Sequence, residues 1–179
     1  AHISDGKNHP KTEESSHRLI EADLHTPLYE QPFETVLESA LDHFVVKRGP
    51  LKTIIAGYPW FLDWGRDALI VVRGLVAAHR LKDAKAVLYQ FGRFEENGTL
   101  PNMIHGTSAA NRDTSDAPLW FFTACRDVVT AENSFAFLDT LAGKRSIRDI
   151  LFSIADTYIE GTPNGIKMDS DSALVYSPP

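Results

Sequence analysis

The sequence predicts an all-α protein in which buried and amphipathic helices alternate, with a short β-hairpin near the C-terminus. From Phe33 onward, apolar residues recur at helical spacing through most of the chain. The stretch 66–80 is apolar on nearly every face, and the stretch 115–131 is also largely apolar. Each follows a polar loop, and aromatic residues lie in the first loop and at the start of the second stretch. Beyond Gly161, turn residues separate two short runs of strand-forming residues. We therefore expect inner helices, outer helices and functional loops gathered on one side.

The first elements in order are a polar tail, a helix and a short extended segment. Residues 1–16 are polar and have little to bury, so we predict a tail or linker there and one folded region over 17–179. Helical spacing predicts a helix from Phe33 to Val45. The cations, glycine and proline at 47–50 should end this helix, and residues 51–56 should form a short strand or an extended lead.

The central part of the chain predicts an inner helix followed by an outer one. The stretch 66–80 should be buried all round, because apolar residues occupy nearly every face. The stretch 82–96 has its apolar residues on one stripe, which is typical of an amphipathic outer helix. Further helices are predicted over 115–131, 134–142 and 146–158.

The last predicted element is a hairpin of two short strands, Ile166–Met168 and Ala173–Tyr176. Between them lies the run Asp169-Ser170-Asp171-Ser172, whose carboxylates could suggest calcium. The central glycine and closing glutamate of an EF-hand loop are absent, so a hairpin turn is favoured and no metal site is predicted.

Composition and charge exclude several classes of partner. The chain has 179 residues, enough for one domain or part of a larger one, and a net charge of −6 without a basic stripe. This balance argues against nucleic acid and anionic membranes as partners. The single cysteine, Cys125, lies in an apolar stretch and permits no internal disulfide, which favours a reducing compartment. No apolar run approaches the roughly 18 residues of a membrane span, and no secretory signal is seen, so we expect a cytoplasmic protein.

The segment from Gly57 to Leu75 combines an aromatic platform with a charged pair. Trp60, Phe61 and Trp64 precede Arg66-Asp67, and the apolar helix follows directly. Aromatic rings beside fixed donors and acceptors suit a sugar, because a pyranose packs its CH face on a ring while its hydroxyls form paired hydrogen bonds. The alternative is a structural role, in which the negative charge of Asp67 stabilises the N-terminus of the helix dipole and Arg66 extends its guanidinium towards water.

A second segment, Asn111–Phe122, has the same organisation. Thr114, Ser115 and Asp116 are all capable helix N-caps, and Pro118 suits the first turn of the helix that follows. A turn-rich stretch before it, 98–106, could supply further polar groups to the same rim.

Three stretches together resemble the amylo-α-1,6-glucosidase catalytic domain of the glycogen debranching enzyme family. They are AGYPWFLDWGRDALI at 56–70, GTLPNMI at 98–104 and NRDTSDAPLWFF at 111–122, within a resemblance that spans about Phe33 to Tyr176. The resemblance implies the N-terminal part of an (α/α)6 barrel of alternating inner and outer helices. It also implies inverting hydrolysis of α-1,6-linked glucose stubs in glycogen or a branched α-glucan limit dextrin, with no cofactor.

The resemblance also implies site roles. Asp116 takes the place of the general acid, and an apolar helix mouth would raise its pKa as an acid requires. Asp67 is the competitor, and its neighbour Arg66 should keep it ionised for gripping glucose hydroxyls. A mere N-cap role for Asp116, and a loop ion pair between Asp113 and Arg112, stay open as alternatives. The residues expected to bind substrate are Trp60, Trp64, Arg66, Asp67, Asn102, Arg112, Asp113 and Trp120.

The general base is not found in this sequence. In the family it is a glutamate in a later motif that does not occur here, while Glu132 and Glu160 lie at the far ends of predicted helices. We therefore expect residues 1–179 alone to be inactive. Two alternatives stay open, namely a glucoamylase-like or trehalase-like exo-glycosidase and a non-catalytic glycan-binding helical module. Glucoamylases place a glutamate directly after Leu-Trp, where this chain has Phe121, which counts against the first alternative.

Overall fold

The computed structural model describes residues 27–57, 61–106 and 108–178. Internal contacts divide the chain into two compact units, one ending at Leu41 and one beginning at Asp42. The described part of the first unit holds a 3₁₀ helix at Leu28–Glu30 and most of helix α1, Phe33–Phe44. The tail predicted over 1–16 lies outside the described residues.

The second unit consists of α-helices joined by short antiparallel strands. Its helices are α2 (Gly65–Ala77), α3 (Leu81–Gly92), α4 (Ala117–Glu132) and α5 (Ile147–Glu160). Its strands are β1 (Val45–Arg48), β2 (Leu51–Ile54), β3 (Asp63–Trp64), β4 (Met103–His105), β5 (Ser108–Ala110), β6 (Leu141–Ala142), β7 (Arg145–Ser146), β8 (Lys167–Met168) and β9 (Val175–Tyr176). The predicted helical character is confirmed, whereas the (α/α)6 barrel stays a prediction.

The helices predicted over 33–45, 66–80, 82–96, 115–131 and 146–158 are confirmed as α1 to α5, with α3 ending earlier than expected at Gly92. The start of α5 is fixed by a capping box. The Ser146 hydroxyl accepts the N–H of Asp149 at 3.1 Å, and the Asp149 carboxylate accepts the N–H of Ser146 at 3.3 Å.

The prediction that residues 47–50 end a helix is wrong, because this segment forms the turn of a β-hairpin. The helix stops at Phe44, and the β-branched Val45 and Val46 pair with Ile54 and Thr53 in an antiparallel ladder. Gly49 turns the chain with a φ of 59°, a conformation that costs glycine little. The short strand expected within 51–56 is confirmed as β2.

The helix predicted over 134–142 is wrong. Helix α4 ends where Asn133 adopts a left-handed conformation with a φ of 49°. One turn of 3₁₀ helix follows at Ala136–Asp139, and the chain then forms the hairpin β6–β7 around Gly143, whose φ is 73°. Apolar spacing alone did not distinguish this short turn and hairpin from a helix.

The C-terminal hairpin is confirmed as β8 and β9. Asp169 turns it, because its Oδ1 accepts the N–H of Ser172 at 2.8 Å, the Ser172 hydroxyl at 2.8 Å and the N–H of Asp171 at 3.2 Å. Across the described ranges, no cluster of His, Cys, Asp and Glu could hold a metal ion.

The hydrophobic core lies where α2, α3 and α4 pack together, around the fully buried Leu69, Phe91 and Phe121. The prediction that helix α2 is buried on every side is wrong. Arg66, Ile70 and Arg73 are exposed, because its neighbours cover one side only. Burial raises the pKa of the Cys125 thiol on α4, as expected for an inert thiol. Within the described residues, no helix is both long and apolar enough to traverse a lipid bilayer.

Gln90 of α3 is a buried polar side chain whose removal should stabilise the fold. It is fully buried, and neither its amide nitrogen nor its amide oxygen has a hydrogen-bond partner in the described part of the chain. Because an unsatisfied buried amide is costly, Gln90→Met is expected to raise the free energy of unfolding by roughly 1–3 kcal/mol. Urea unfolding measures the change. A loss of stability would contradict the prediction and indicate a buried water that bonds the amide.

Candidate functional site

A three-stranded sheet brings the two motifs together. Strand β4 is antiparallel to both β3 and β5, so β3 and β5 run in the same direction. Strand β3 leads at once into α2, and β5 leads through residues 111–116, here called the acid loop, into α4. Both helices therefore follow strands that leave the sheet at the same end. Asn102 extends the pairing, since its carbonyl accepts the N–H of Gly65 at 2.8 Å and its N–H donates to the Asn111 carbonyl at 2.7 Å.

Gly65 is required at the junction of β3 and α2 because the backbones approach closely there. A Cβ atom on Gly65 would lie 2.5 Å from the carbonyl oxygen of Pro101. Just before it, Asp63 is 4% exposed and is held by Arg48 and Thr53. Arg48 Nη2 donates to Asp63 Oδ1 at 3.0 Å, and the Thr53 hydroxyl donates to Oδ2 at 3.0 Å. This buried group fixes the strand that contains Trp64 and leads into the helix that carries Arg66.

The charged residues of the two motifs meet at the starts of α2 and α4. Arg66 Nε lies 2.6 Å from Asp116 Oδ2, and the Thr114 hydroxyl donates to Asp116 Oδ1 at 2.9 Å. Asp116 stands at the N-cap position of α4, but its side chain makes no capping hydrogen bond; instead Thr114 accepts the N–H of Ala117 at 3.4 Å. The side chains of Arg66 and Asp116 are 56% and 38% exposed, so a ligand can reach both.

The pKa of Asp116 moves in the direction opposite to the one expected. Partial burial pushes the pKa upward, but the hydrogen bonds from Arg66 and Thr114, together with the charge of Arg66, hold it below its usual value. The sequence expectation of a raised pKa is therefore wrong for this structure. Because the folded-state pKa is depressed, the pair stabilises the fold above the unfolded pKa of about 3.9 and loses that contribution as the pH falls through the folded value.

A second ion pair shows that α2 and α4 run side by side in the same direction. Arg73 Nε donates to Asp127 Oδ2 at 2.8 Å, further along both helices. Between the two ion pairs lie Ile70 and Leu119, which are 38% and 41% exposed. These apolar side chains follow the charged pair by one turn of each helix. Sequence reasoning did not single them out, because they look like ordinary core positions.

Arg112 supports the backbone and does not pair with Asp113 as the sequence suggested. Its guanidinium donates to the Phe94 carbonyl at 2.8 Å and to the Thr99 carbonyl at 3.1 Å, and it lies 3.5 Å from the Glu96 carboxylate. The Asp113 N–H donates to Asn111 Oδ1 at 2.9 Å. The loop ion pair between Asp113 and Arg112 is thus not formed.

The other predicted substrate-binding residues lie at the same end of the two helices. Asp67 is exposed in the first turn of α2, and Trp64 precedes that helix. Trp120 lies in the first turn of α4, and Trp64, Trp120 and Asn102 are all half-buried. Trp60 lies outside the described residues. The arrangement places a guanidinium, carboxylates and half-buried tryptophans at the N-terminal ends of α2 and α4, a set of residue types that suits a ligand with many hydroxyl groups.

Comparison with known proteins agrees with this chemistry. No curated protein matches the chain. A family model described as amylo-alpha-1,6-glucosidase matches residues 39–179, which include both motifs and the sheet between them. That family is of the glycoside hydrolase type and acts on glycogen-related glucans. The match covers most of the sequence, and the chain therefore belongs to the amylo-alpha-1,6-glucosidase family.

Proposed function

We propose that this chain holds the terminal glucose of an α-1,6-linked branch stub and protonates its glycosidic oxygen during inverting hydrolysis. The observation that carries the proposal is the contact of 2.6 Å between Arg66 and Asp116, which joins the two motifs at one reachable point. Asp116 is the general acid. Arg66 and Asp67 bind glucose hydroxyls, and the rings of Trp64 and Trp120 take the apolar face of the sugar.

The ionised state of Asp116 adds a requirement to this mechanism. A carboxylate paired with a guanidinium has no proton to donate, so Asp116 must take one up before the reaction. A bound glucose would supply hydroxyl partners to Arg66 and draw it away from Asp116. Partial burial then favours the neutral acid, since the charge that opposed protonation has moved.

The reaction itself follows from these roles. Asp116 gives its proton to the glycosidic oxygen as the bond from that oxygen to C1 breaks. Water adds to C1 from the opposite face, and a base takes the proton that water loses. The motif that supplies this base in the family does not occur in residues 1–179, and none of these residues is proposed as the base. We propose a branched α-glucan as the substrate and the cytoplasm as the location of the activity.

Binding tests the proposal without the base. We expect the chain to bind isomaltose, which carries the α-1,6 bond, more tightly than maltose. Arg66→Gln should lower the isomaltose affinity roughly tenfold or more, since it removes a charged hydrogen-bond donor to the sugar. The matched control is Arg73→Gln, which removes the other α2–α4 ion pair away from the opening and should leave the affinity unchanged. Titration calorimetry gives both values.

Two results would contradict the proposal. One is an equal loss of isomaltose affinity in Arg66→Gln and Arg73→Gln, which would indicate a general effect on helix packing. The other is tighter binding of maltose than of isomaltose, which would favour a glucoamylase-like enzyme.

The low pKa of Asp116 supports a second candidate, a glycan-binding module without turnover. In that case the carboxylate would only accept hydrogen bonds from sugar hydroxyls. The effect of Asp116→Asn on turnover separates this candidate from the first.

A further inference from the structure

Two side chains from a later part of the sequence hold the backbone of the acid loop. The Tyr158 hydroxyl, on α5, donates to the carbonyl of Ser115 at 2.7 Å. The Asn164 side-chain amide, in the turn after α5, donates to the carbonyl of Arg112 at 3.0 Å. The two acceptors lie on either side of Thr114, whose hydroxyl bonds Asp116. Neither Tyr158 nor Asn164 lies in the motifs that the sequence singled out.

Both donors are themselves held in place. Tyr158 is 6% exposed, so its ring has little freedom within the core. Asn164 Oδ1 accepts the Thr162 hydroxyl at 2.6 Å, and that buried hydroxyl also accepts the N–H of Ile166 at 2.9 Å. The donors are therefore oriented in advance, and little side-chain entropy is lost in forming their bonds to the loop.

We infer that Tyr158 and Asn164 are positioning residues for Asp116, acting through the carbonyls of Ser115 and Arg112 and not through the sugar. The inference deepens the proposed function, because it names what keeps the acid beside Arg66. Ser115 directly precedes Asp116, so a bond to its carbonyl fixes the direction in which the carboxylate leaves the loop. Without these bonds, the non-helical loop would lose two of the contacts that hold Asp116 near Arg66.

The electrostatics of Tyr158 support this placement. The hydroxyl bonds the carbonyl of the residue before Asp116, and both burial and the negative charge of Asp116 raise the pKa of that hydroxyl. The side chains that lower the pKa of Asp116 are Arg66 of α2 and Thr114 of the acid loop.

The test measures the pKa of Asp116 by a pH titration. The carbon-13 chemical shift of its carboxyl group in the labelled chain reports the protonation. The signal is identified by its loss in Asp116→Asn. Tyr158→Phe keeps the buried ring and removes only the hydroxyl, and it should raise the pKa of Asp116 by roughly half a unit or more, because the contact with Arg66 loosens. Asn164→Ala should move it in the same direction. The matched control is Tyr89→Phe, whose lost bond to the Thr140 hydroxyl of 2.9 Å lies outside the site, and no shift is expected there.

A double substitution shows whether the effect passes through Arg66. In an Arg66→Gln background, Tyr158→Phe should cause no further shift, because the contact that it supports is already lost. An unchanged pKa of Asp116 in a folded Tyr158→Phe variant would overturn the inference. So would a shift of equal size in the Arg66→Gln background.

This readout needs no substrate, so the two proposals can fail separately. A shifted pKa in a chain that binds no isomaltose would sustain the positioning role and refute the proposed function. Normal isomaltose binding with no shift in Tyr158→Phe would do the reverse. For turnover, a positioning role predicts a lower kcat for Tyr158→Phe with little change in KM.

Discussion

Asp116→Asn is expected to lower glucose release from a branched limit dextrin by roughly 10²- to 10⁴-fold, the usual contribution of a general acid. The amide has nearly the shape of the carboxyl group but no acidic proton. It can still accept the Thr114 hydroxyl, which lies 2.9 Å from Asp116 Oδ1 in the structure. Sugar affinity should therefore change little while kcat falls. The measurement is kcat and KM of the full-length enzyme on the branched substrate, with isomaltose affinity determined separately.

Asp127→Asn is the matched control for this experiment. Asp127 lies on the same helix and pairs with Arg73 of α2, as Asp116 pairs with Arg66, but further along both helices. Its replacement should leave kcat unchanged if the loss in Asp116→Asn comes from the missing general acid and not from a broken ion pair between α2 and α4. Full activity in Asp116→Asn would remove Asp116 from the acid role. If the unsubstituted protein binds the sugar but shows no turnover, and Asp116→Asn still binds it, the glycan-binding module is favoured.

Glu95→Ala is expected to destabilise the fold by roughly 1–3 kcal/mol, the cost of leaving buried hydrogen-bond donors without their acceptor. The Glu95 carboxylate is fully buried and pairs with Arg145. It also accepts the N–H of Gly98 at 2.7 Å and the Ser153 hydroxyl at 2.9 Å. Removing it leaves three donors without their acceptor, one of them charged. Urea unfolding followed by circular dichroism measures the loss.

The adjacent residue provides the control. Glu96 is 68% exposed and lies 3.5 Å from Arg112, so Glu96→Ala removes only a weak surface ion pair. We expect a change within about 0.5 kcal/mol, as is usual at an exposed site. Equal losses in the two variants would contradict the assignment of Glu95 as the buried acceptor.

The Glu95 cluster also supports the functional site. The loop that Glu95 closes lies between the carbonyls of Phe94 and Thr99, to which Arg112 donates from the acid loop. Loss of the cluster should therefore loosen the acid loop as well as the fold. A milder change, Glu95→Gln, is expected to leave the chain folded while reducing its affinity for isomaltose.

The sequence predicted those elements whose pattern is local. Apolar spacing predicted α2 to α5 with small errors at their ends, and the residues of the two motifs predicted the polar loops before α2 and α4. It failed where short segments had two possible structures. Val45 continues the apolar pattern of the predicted helix, although this β-branched residue begins β1 and pairs with Ile54 of β2.

The charge state of the site depended on contacts that spacing does not encode. From the sequence, Arg66 had Asp67 as its neighbour and Arg112 had Asp113. In the folded chain, Arg66 lies against Asp116, and Arg112 bonds carbonyl groups far along the sequence. Because a nearby positive charge lowers the pKa of a carboxyl group, this exchange of partners reversed the expected shift of Asp116.

The sequence by itself thus determined the helices, the aromatic and charged residues at their openings, and the family to which they point. Only the tertiary structure decided that β3 and β5 run in the same direction on either side of β4. This arrangement brings Arg66 to Asp116, and Tyr158 bonds the backbone of the acid loop. The physical reason is that strand pairing and ion pairing join residues distant in sequence, and their free energies depend on distances and burial that exist only once the chain has folded.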